Sequence, residues 1–576
     1  MKLRYDLGLK LHFLIDTERS DETRQLMSDL GARCVSNSAG NLYLIGVNGY
    51  LPDAGVLISG SVVDQKRLLQ GPFVVSDIPN GAGDWIAVRY SENGLRVQPD
   101  AFSCSPVFYG KGLVSNSLLL IERVLKQRGS FRVNRSAMAS YFLFEASYSV
   151  QASTLATLID GIEMLQAGAV IDVANGISVT EKKLDTSPVC ADEYWSLIEK
   201  GAEEVVSNIE AAVDSFPVAV SALTGGRDSR VIYGALIAAG LVDRVRFTTL
   251  DIGRDLEVAT SLLGRFGGRF EKDTPNFDEG NGVIGLVGFE AAVNAQISHL
   301  YYSNHAIQKS VAPVRYGKGY PFVLLGGGMG ECYRTVYANI QKQVDALGDD
   351  ENLDDFAKLN RYITGRAAAS KACTDTILSE QRNTFRALSS DGARQALISH
   401  HVNFRNKYHF GNKLQPGDKK DFMPMQSETL LDLSRRVPDA ILDGGHILSD
   451  LVHYYSPELA QHEYDKPWRP DRPAHPFRTD GDVSGEEIKA DAGAYSATPV
   501  PAPKPQRMKP SFNKPKNGFD FIRNQSVAIL DTLDDDARLG MPSAYFTGKI
   551  DWLYKAKDRR LYQWYSKLRM LDAFRP

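Results

Sequence analysis

Residues 218–234, VAVSALTGGRDSRVIYG, constrain the chain more than any other stretch. The apolar run at 218–223 has the length of a buried strand. It breaks at Thr224-Gly225-Gly226-Arg227-Asp228-Ser229 and resumes with helical apolar spacing at Val231, Ile232, Ala235, Leu236 and Ala239. A strand, a glycine pair and a helix start together make an anion site. Glycine lets the backbone approach a phosphate without a Cβ clash, and the first helical N–H groups are unpaired at the positive end of the helix dipole. Thr224 and Ser229 add hydroxyl groups. The Asp228 carboxylate would repel phosphate unless a cation lay between them, so the string predicts Mg²⁺ bridging Asp228 and a pyrophosphate. A plain strand-to-helix turn would need only the glycines. No Gly-Lys-Ser/Thr follows, so this is not a Walker loop.

The 576 residues have room for roughly two to four domains. A net charge of −4 gives no basic field for nucleic acid. The start, MKLRYDLGLKLHF, lacks the apolar core of a signal peptide, and no run of about 18 apolar residues predicts a membrane span. Cys34, Cys104, Cys190, Cys332 and Cys373 are scattered and form no CxxC pair. That pattern fits a reducing, cytoplasmic setting rather than a disulfide frame or a zinc ribbon.

Up to about Glu181 the chain reads as short strands with turn signals, such as NLYLIGV at 41–47 and GVLISGSVV at 55–63. Residues 84–100 read as a hairpin turning at Glu92-Asn93-Gly94. These predict a β-sandwich with outer helices. A helix at 191–216 then enters the segment that holds the glycine turn. A second strand follows at 245–250, and a helix begins near Asp255, which reads as its N-cap. Alternating strands and helices imply a parallel sheet with its ligand at the strands' carboxyl ends. A third strand at 321–325 runs into Gly326-Gly-Gly328-Met-Gly330-Glu331, where four glycines again allow close backbone approach. His400, His401 and His409 lie close in sequence, but a metal site needs further ligands in suitable geometry, so they read as ordinary surface or core residues. Residues 464–515 are rich in Pro, Asp, Gly and Lys and read as a long loop with Lys509 in it; Lys516 follows in Lys514-Pro-Lys516-Asn-Gly518-Phe519. The C-terminal WLYKAKDRRLYQWYSKLRM reads as a basic, aromatic docking or solvated helix.

The first glycine turn resembles the Ser-Gly-Gly-x-Asp-Ser pyrophosphate loop of the asparagine synthetase and β-lactam synthetase superfamily, with Thr224 keeping the first hydroxyl. Gly83-Asp84-Trp85-Ile86-Ala87 resembles the Gly-Asp/Glu-Phe-Ala strand of that superfamily's glutaminase domain. Residues 100–109 resemble its Asp-x-x-Gly-x-x-Pro-Leu-Tyr-Tyr turn, and Lys516-Asn-Gly518-Phe519 its Lys-x-Gly-Phe. The resemblance implies an α/β protein. Residues 1–190 would form a β-sandwich, glutaminase-like (Ntn-type) domain, and residues 191–576 a parallel-sheet, adenine nucleotide α-hydrolase-like (PP-loop) synthetase domain with a helical C-terminal part.

It also implies cofactors ATP and Mg²⁺. Thr224, Gly225, Gly226, Asp228, Ser229, Thr249, Leu250, Gly326 and Gly328 would hold the nucleotide, Asp228 and Glu331 the metal. Lys516, ahead of Lys509, would neutralise developing charge, and Glu331, the acid that remains of a richer family set, would bind the metal or take the proton from the attacking amine. The family's glutaminase nucleophile is a cysteine at residue 1 of the processed chain. Here residue 2 is Lys2 and the first cysteine is Cys34, so glutamine hydrolysis is not expected. The implied activity is ATP-dependent amide formation through an acyl-adenylate, as in lasso-peptide cyclases and β-lactam synthetases. The substrate would be a small molecule or peptide bearing a carboxylate and an amine, with a precursor or leader peptide or a partner enzyme as partner, and no nucleic acid or membrane. An ammonia-fed asparagine synthetase and an inactive scaffold that keeps only the fold remain open alternatives.

Overall fold

The computed structural model describes residues 11–46, 54–138, 154–181, 185–249, 253–270, 322–335, 371–388, 398–411, 419–466, 472–478 and 516–531, with residues 565, 568, 569 and 572. Two antiparallel sheets come first. One is ordered Glu163–Met164, Phe108–Gly110, Leu113–Ser115, His12–Asp16, Gly40–Ile45, Arg33–Asn37. The other is ordered Ile177–Glu181, Ala169–Val173, Gly94–Pro99, Gly83–Ser91, Gly55–Asp64, Arg67–Gln70, with Phe73–Val75 pairing on Gly55–Asp64. The strand Gly94–Pro99 alternates buried and half-buried positions, the pattern of a strand with one face on a core. Phe13, Ile15, Leu42 and Leu44 of the first sheet share one core with Leu57, Val88, Val97 and Ile171 of the second. The expected hairpin is present, with Ser91 opposite Gly94.

A parallel sheet follows. Its strands are β1 (Val218–Ala222), β2 (Val245–Thr248), β3 (Arg269–Phe270), β4 (Phe322–Leu325) and β5 (Lys419–Phe422), in the order β3-β2-β1-β4-β5. Every neighbouring pair runs parallel. The chain is therefore mixed α/β, with two antiparallel sheets and one parallel sheet among the described residues.

Helices α1 (Ala191–Ser215), α2 (Arg227–Ala238), α3 (Asp255–Phe266), α4 (Glu428–Arg436) and α5 (His446–Tyr455) cover the parallel sheet. They share one core with its strands: Ile198, Val205 and Ile209 of α1, Val231 and Leu236 of α2, Leu262 of α3, Leu430 of α4 and Leu451 of α5 meet Ala219, Val323 and Phe422. Removing these side chains from water is the main force holding the helices to the sheet. Among the described residues no helix is long and apolar enough to cross a membrane.

The order reverses between β1 and β4, because β2 and β3 are laid down on one side of β1 and β4 and β5 on the other. A crevice opens outside the carboxyl ends of the strands at such a point. Both glycine turns emerge there, one from β1 and one from β4.

Candidate functional site

The first turn is held by its own hydroxyl groups. Ser229 Oγ accepts from Thr224 N at 3.1 Å and lies 3.0 Å from Thr224 Oγ1, which accepts from Gly226 N at 3.1 Å. Gly226 is the N-cap of α2 and has no side chain to cap it. Asp255 is not the N-cap expected from sequence. Arg254 holds that position, and the Asp255 carboxylate instead accepts the Gly225 N–H at 2.9 Å. A carboxylate accepts from whichever donor is within reach, and here that donor is the Gly225 N–H. On the other side, Asp465 N donates to Gly225 O at 3.1 Å. Arg230 of α2 fixes that segment: it is fully buried, donates to His462 O and Glu463 O, and lies 3.5 Å from the centre of the Tyr464 ring.

The second turn closes over the first. A Cβ built on Gly327 would lie 3.0 Å from Asp228 C and Ser229 N, and one built on Gly330 would collide with Asp228 Oδ1. A Cβ on Gly326 or Gly328 would crowd Met423 Sδ, at 2.6 and 2.7 Å, and one on Gly328 also the Phe410 ring. These glycines have no left-handed φ; Met329 takes that conformation, at φ 75°. Close approach, not backbone freedom, requires glycine here. The short 3₁₀ turn Gly330–Tyr333 follows, pinned by the Tyr333 hydroxyl donating to Met425 O.

Two carboxylates, Asp228 and Glu331, face the guanidinium of Arg334 here. Arg334 Nη2 lies 3.6 Å from Asp228 Oδ2 and 3.8 Å from Glu331 Oε1, and the three side chains are each about one-third exposed, at 30%, 31% and 31%. Buried His401 places Nε2 3.6 Å from Glu331 Oε2. Burial raises the Asp228 carboxyl above the ordinary carboxylate range, with Glu331 adding to the rise and Arg334 and Arg227 opposing it. Asp228 Oδ1 is buried and has no hydrogen-bond partner among the described residues. An orphaned carboxylate oxygen beside a second carboxylate suits a hard cation, which takes oxygen ligands.

The structure thus brings Thr224, Gly225, Gly226, Asp228, Ser229 and Glu331 together. Gly326 and Gly328 sit beside them with Met423 over both. Thr249 stands at the carboxyl end of β2, and its Oγ1 is buried without a hydrogen-bond partner among the described residues. Lys516 opens the helix Lys516–Asp531, so its string is the start of a helix. Leu250, Lys509, Lys2 and Lys514, and nearly all of the C-terminal basic stretch, lie outside the described residues.

His400 and His401 are both core residues. No group of three or more His, Cys, Asp or Glu positioned for a metal occurs among the described residues. Sequence reasoning missed Arg334 and Asp465, and it named His401 without placing it beside Glu331. Only Arg334 carried a signal, its i,i+3 spacing from Glu331. No protein-family model matches the chain, and no curated protein matches it at a significant level.

Proposed function

We propose that the chain is an ATP-dependent, amide-forming synthetase of the asparagine synthetase and β-lactam synthetase type. Its first part would be a glutaminase-like sandwich and its second a pyrophosphate-loop ligase. One observation carries the reading. At the point where the parallel sheet reverses its order, two glycine turns converge on Asp228, whose inner oxygen is buried with no hydrogen-bond partner among the described residues. That is where open α/β sheets bind nucleotides, and the start of α2 offers N–H groups and dipole to phosphate.

In the reaction that fits, a substrate carboxylate attacks the α phosphorus of ATP and pyrophosphate leaves; an amine then attacks the acyl carbon and AMP leaves. Asp228, with Glu331, would hold Mg²⁺, which supplies neutralising charge for the departing pyrophosphate. The Thr224–Ser229 hydroxyl network holds the turn in one shape. Arg230 and Asp465 brace the outer wall of the turn.

The amine is read as part of the substrate, not as ammonia cut from glutamine. In support, Cys104 and Cys332 are buried, and burial pushes both thiols up and away from the reactive thiolate. Residues 83–84 and 104, in the strand and turn that resemble the glutaminase, bind the rest of the chain instead: Asp84 pairs with Lys420 at 2.8 Å, and Gln426 Nε2 donates to Gly83 O at 2.9 Å and reaches Cys104 Sγ at 3.0 Å.

The test is carboxylate-dependent exchange of pyrophosphate into ATP across a panel of amino acids and peptides. Exchange is expected for the wild type and abolished in Asp228→Ala. Full exchange in that variant would remove the metal assignment. Glutamate released from added glutamine would overturn the amine assignment.

A further inference from the structure

We propose that Arg334 is a built-in counter-ion: it holds the cation position between Asp228 and Glu331 when no metal is bound and yields it when a divalent metal binds. The inference rests on the metal assignment above and adds a competition to it.

Three observations carry it. The guanidinium reaches both carboxylates, yet at 3.6 and 3.8 Å, longer than a formed hydrogen bond. It bridges two acids at a distance without closing a fork on either, so the contact is mainly one of charge. Second, Arg334 Nε is buried and without a hydrogen-bond partner among the described residues, as is Asp228 Oδ1. A pair built only for stability would have matched such groups to each other. Third, the backbone on both sides of Arg334 is fastened. Tyr333 donates to Met425 O, Thr335 N donates to Leu442 O at 3.0 Å, and the Thr335 hydroxyl bonds the Asp443 carboxylate. A side chain on a fixed backbone can swing while the turn stays in place.

Two carboxylates facing each other without a cation would repel, and burial makes that repulsion costly. Arg334 relieves it in the metal-free protein. A divalent ion held by the two acids would displace the guanidinium, and the phosphates that come with the ion would offer Arg334 a partner that arginine binds well. Metal and nucleotide therefore arrive as a pair: the metal alone competes with Arg334, whereas metal with polyphosphate gives Arg334 a new partner.

The experiment is a Mn²⁺ titration of the full chain without nucleotide, followed by electron paramagnetic resonance, comparing wild type, Arg334→Met and Arg334→Lys. Arg334→Met is expected to bind Mn²⁺ about fivefold more tightly than wild type, the factor one partly exposed ion pair is worth. Arg334→Lys keeps the charge and is expected to stay near the wild-type affinity. With ATP present the order inverts, and Arg334→Met binds Mn²⁺·ATP more weakly than wild type. Circular dichroism checks that each variant folds. Equal Mn²⁺ affinity in wild type and Arg334→Met overturns the counter-ion role and leaves the ligase reading standing. Absence of Mn²⁺ binding in all three proteins, with or without ATP, sinks the metal site and this inference with it.

Discussion

The two glycine turns stand side by side at one crevice, but different physics shapes them. The first, after β1, is stabilised at Gly226 from within, where Thr224 and Ser229 exchange hydrogen bonds across five residues, while Asp255 ties down Gly225 and Asp465 crowds it. The second, after β4, is shaped from outside, by Asp228, Met423, Met425 and Phe410 pressing on its α-carbons. A glycine whose neighbours are its own turn's side chains, as Gly226 is, tolerates small changes around it. A turn defined by crowding does not, because there is no room for even a methyl group.

Adding one methyl to each turn should break this comparison if it is wrong. Gly330→Ala pushes directly on Asp228 Oδ1, and pyrophosphate exchange is expected to fall about a hundredfold, as for an angstrom-scale shift of a reacting group. Gly226→Ala meets only Thr224 Oγ1 at 3.3 Å, and exchange should fall about threefold or less, the cost of a small local adjustment. Equal losses would mean that crowding does not separate the turns.

The support behind the second turn can be tested by pH. Phe410, which packs on Gly328, ends the short helix Lys407–Phe410, and the Lys407 ammonium is buried at 1% exposure with Leu165 O at 3.4 Å. Burial holds Lys407 down from 10.5 to about 8, with Asp100 opposing the fall. Between those values the unfolded chain holds the proton more often than the native one, so wild-type stability should rise with pH across that window, by roughly 3 kcal/mol. Denaturant titrations of Lys407→Met should lose this rise and show a more stable protein at pH 7. A rise that persists in the variant would assign it to another group.

Within the first turn, Thr224→Val removes the hydroxyl shared by Ser229 and Gly226 N–H. It should lower stability by about 1 kcal/mol, measured by thermal unfolding, with Thr224→Ser restoring it. The smallest effect is expected for Asp255→Asn, which keeps an acceptor for Gly225 N–H and loses only the charge. Its cost, in the same unfolding assay, should be a few tenths of a kcal/mol.

Much of the frame was legible because it is written locally. The strand lengths, the hairpin turning after Ser91 and the helix of residues 191–215 follow from apolar periodicity and turn residues. So did the strand, glycine pair and helix around Asp228, since hydroxyls five residues apart can meet only if the chain turns between them. Asp255 was misread because its partner is Gly225, 30 residues earlier, and no local spacing reports that contact.

By itself, then, the sequence determined which segments become strands and helices, and that an acid would stand at the start of α2. The tertiary fold alone decided that the two turns meet, that Arg334 comes to lie between Asp228 and Glu331, and that His401 backs Glu331 from 70 residues away. The reason is one of range. Hydrogen bonds and apolar spacing within a dozen residues leave a pattern in the chain, whereas strand order in the sheet is set by packing the whole core. Only that order brings the carboxyl ends of β1 and β4 together.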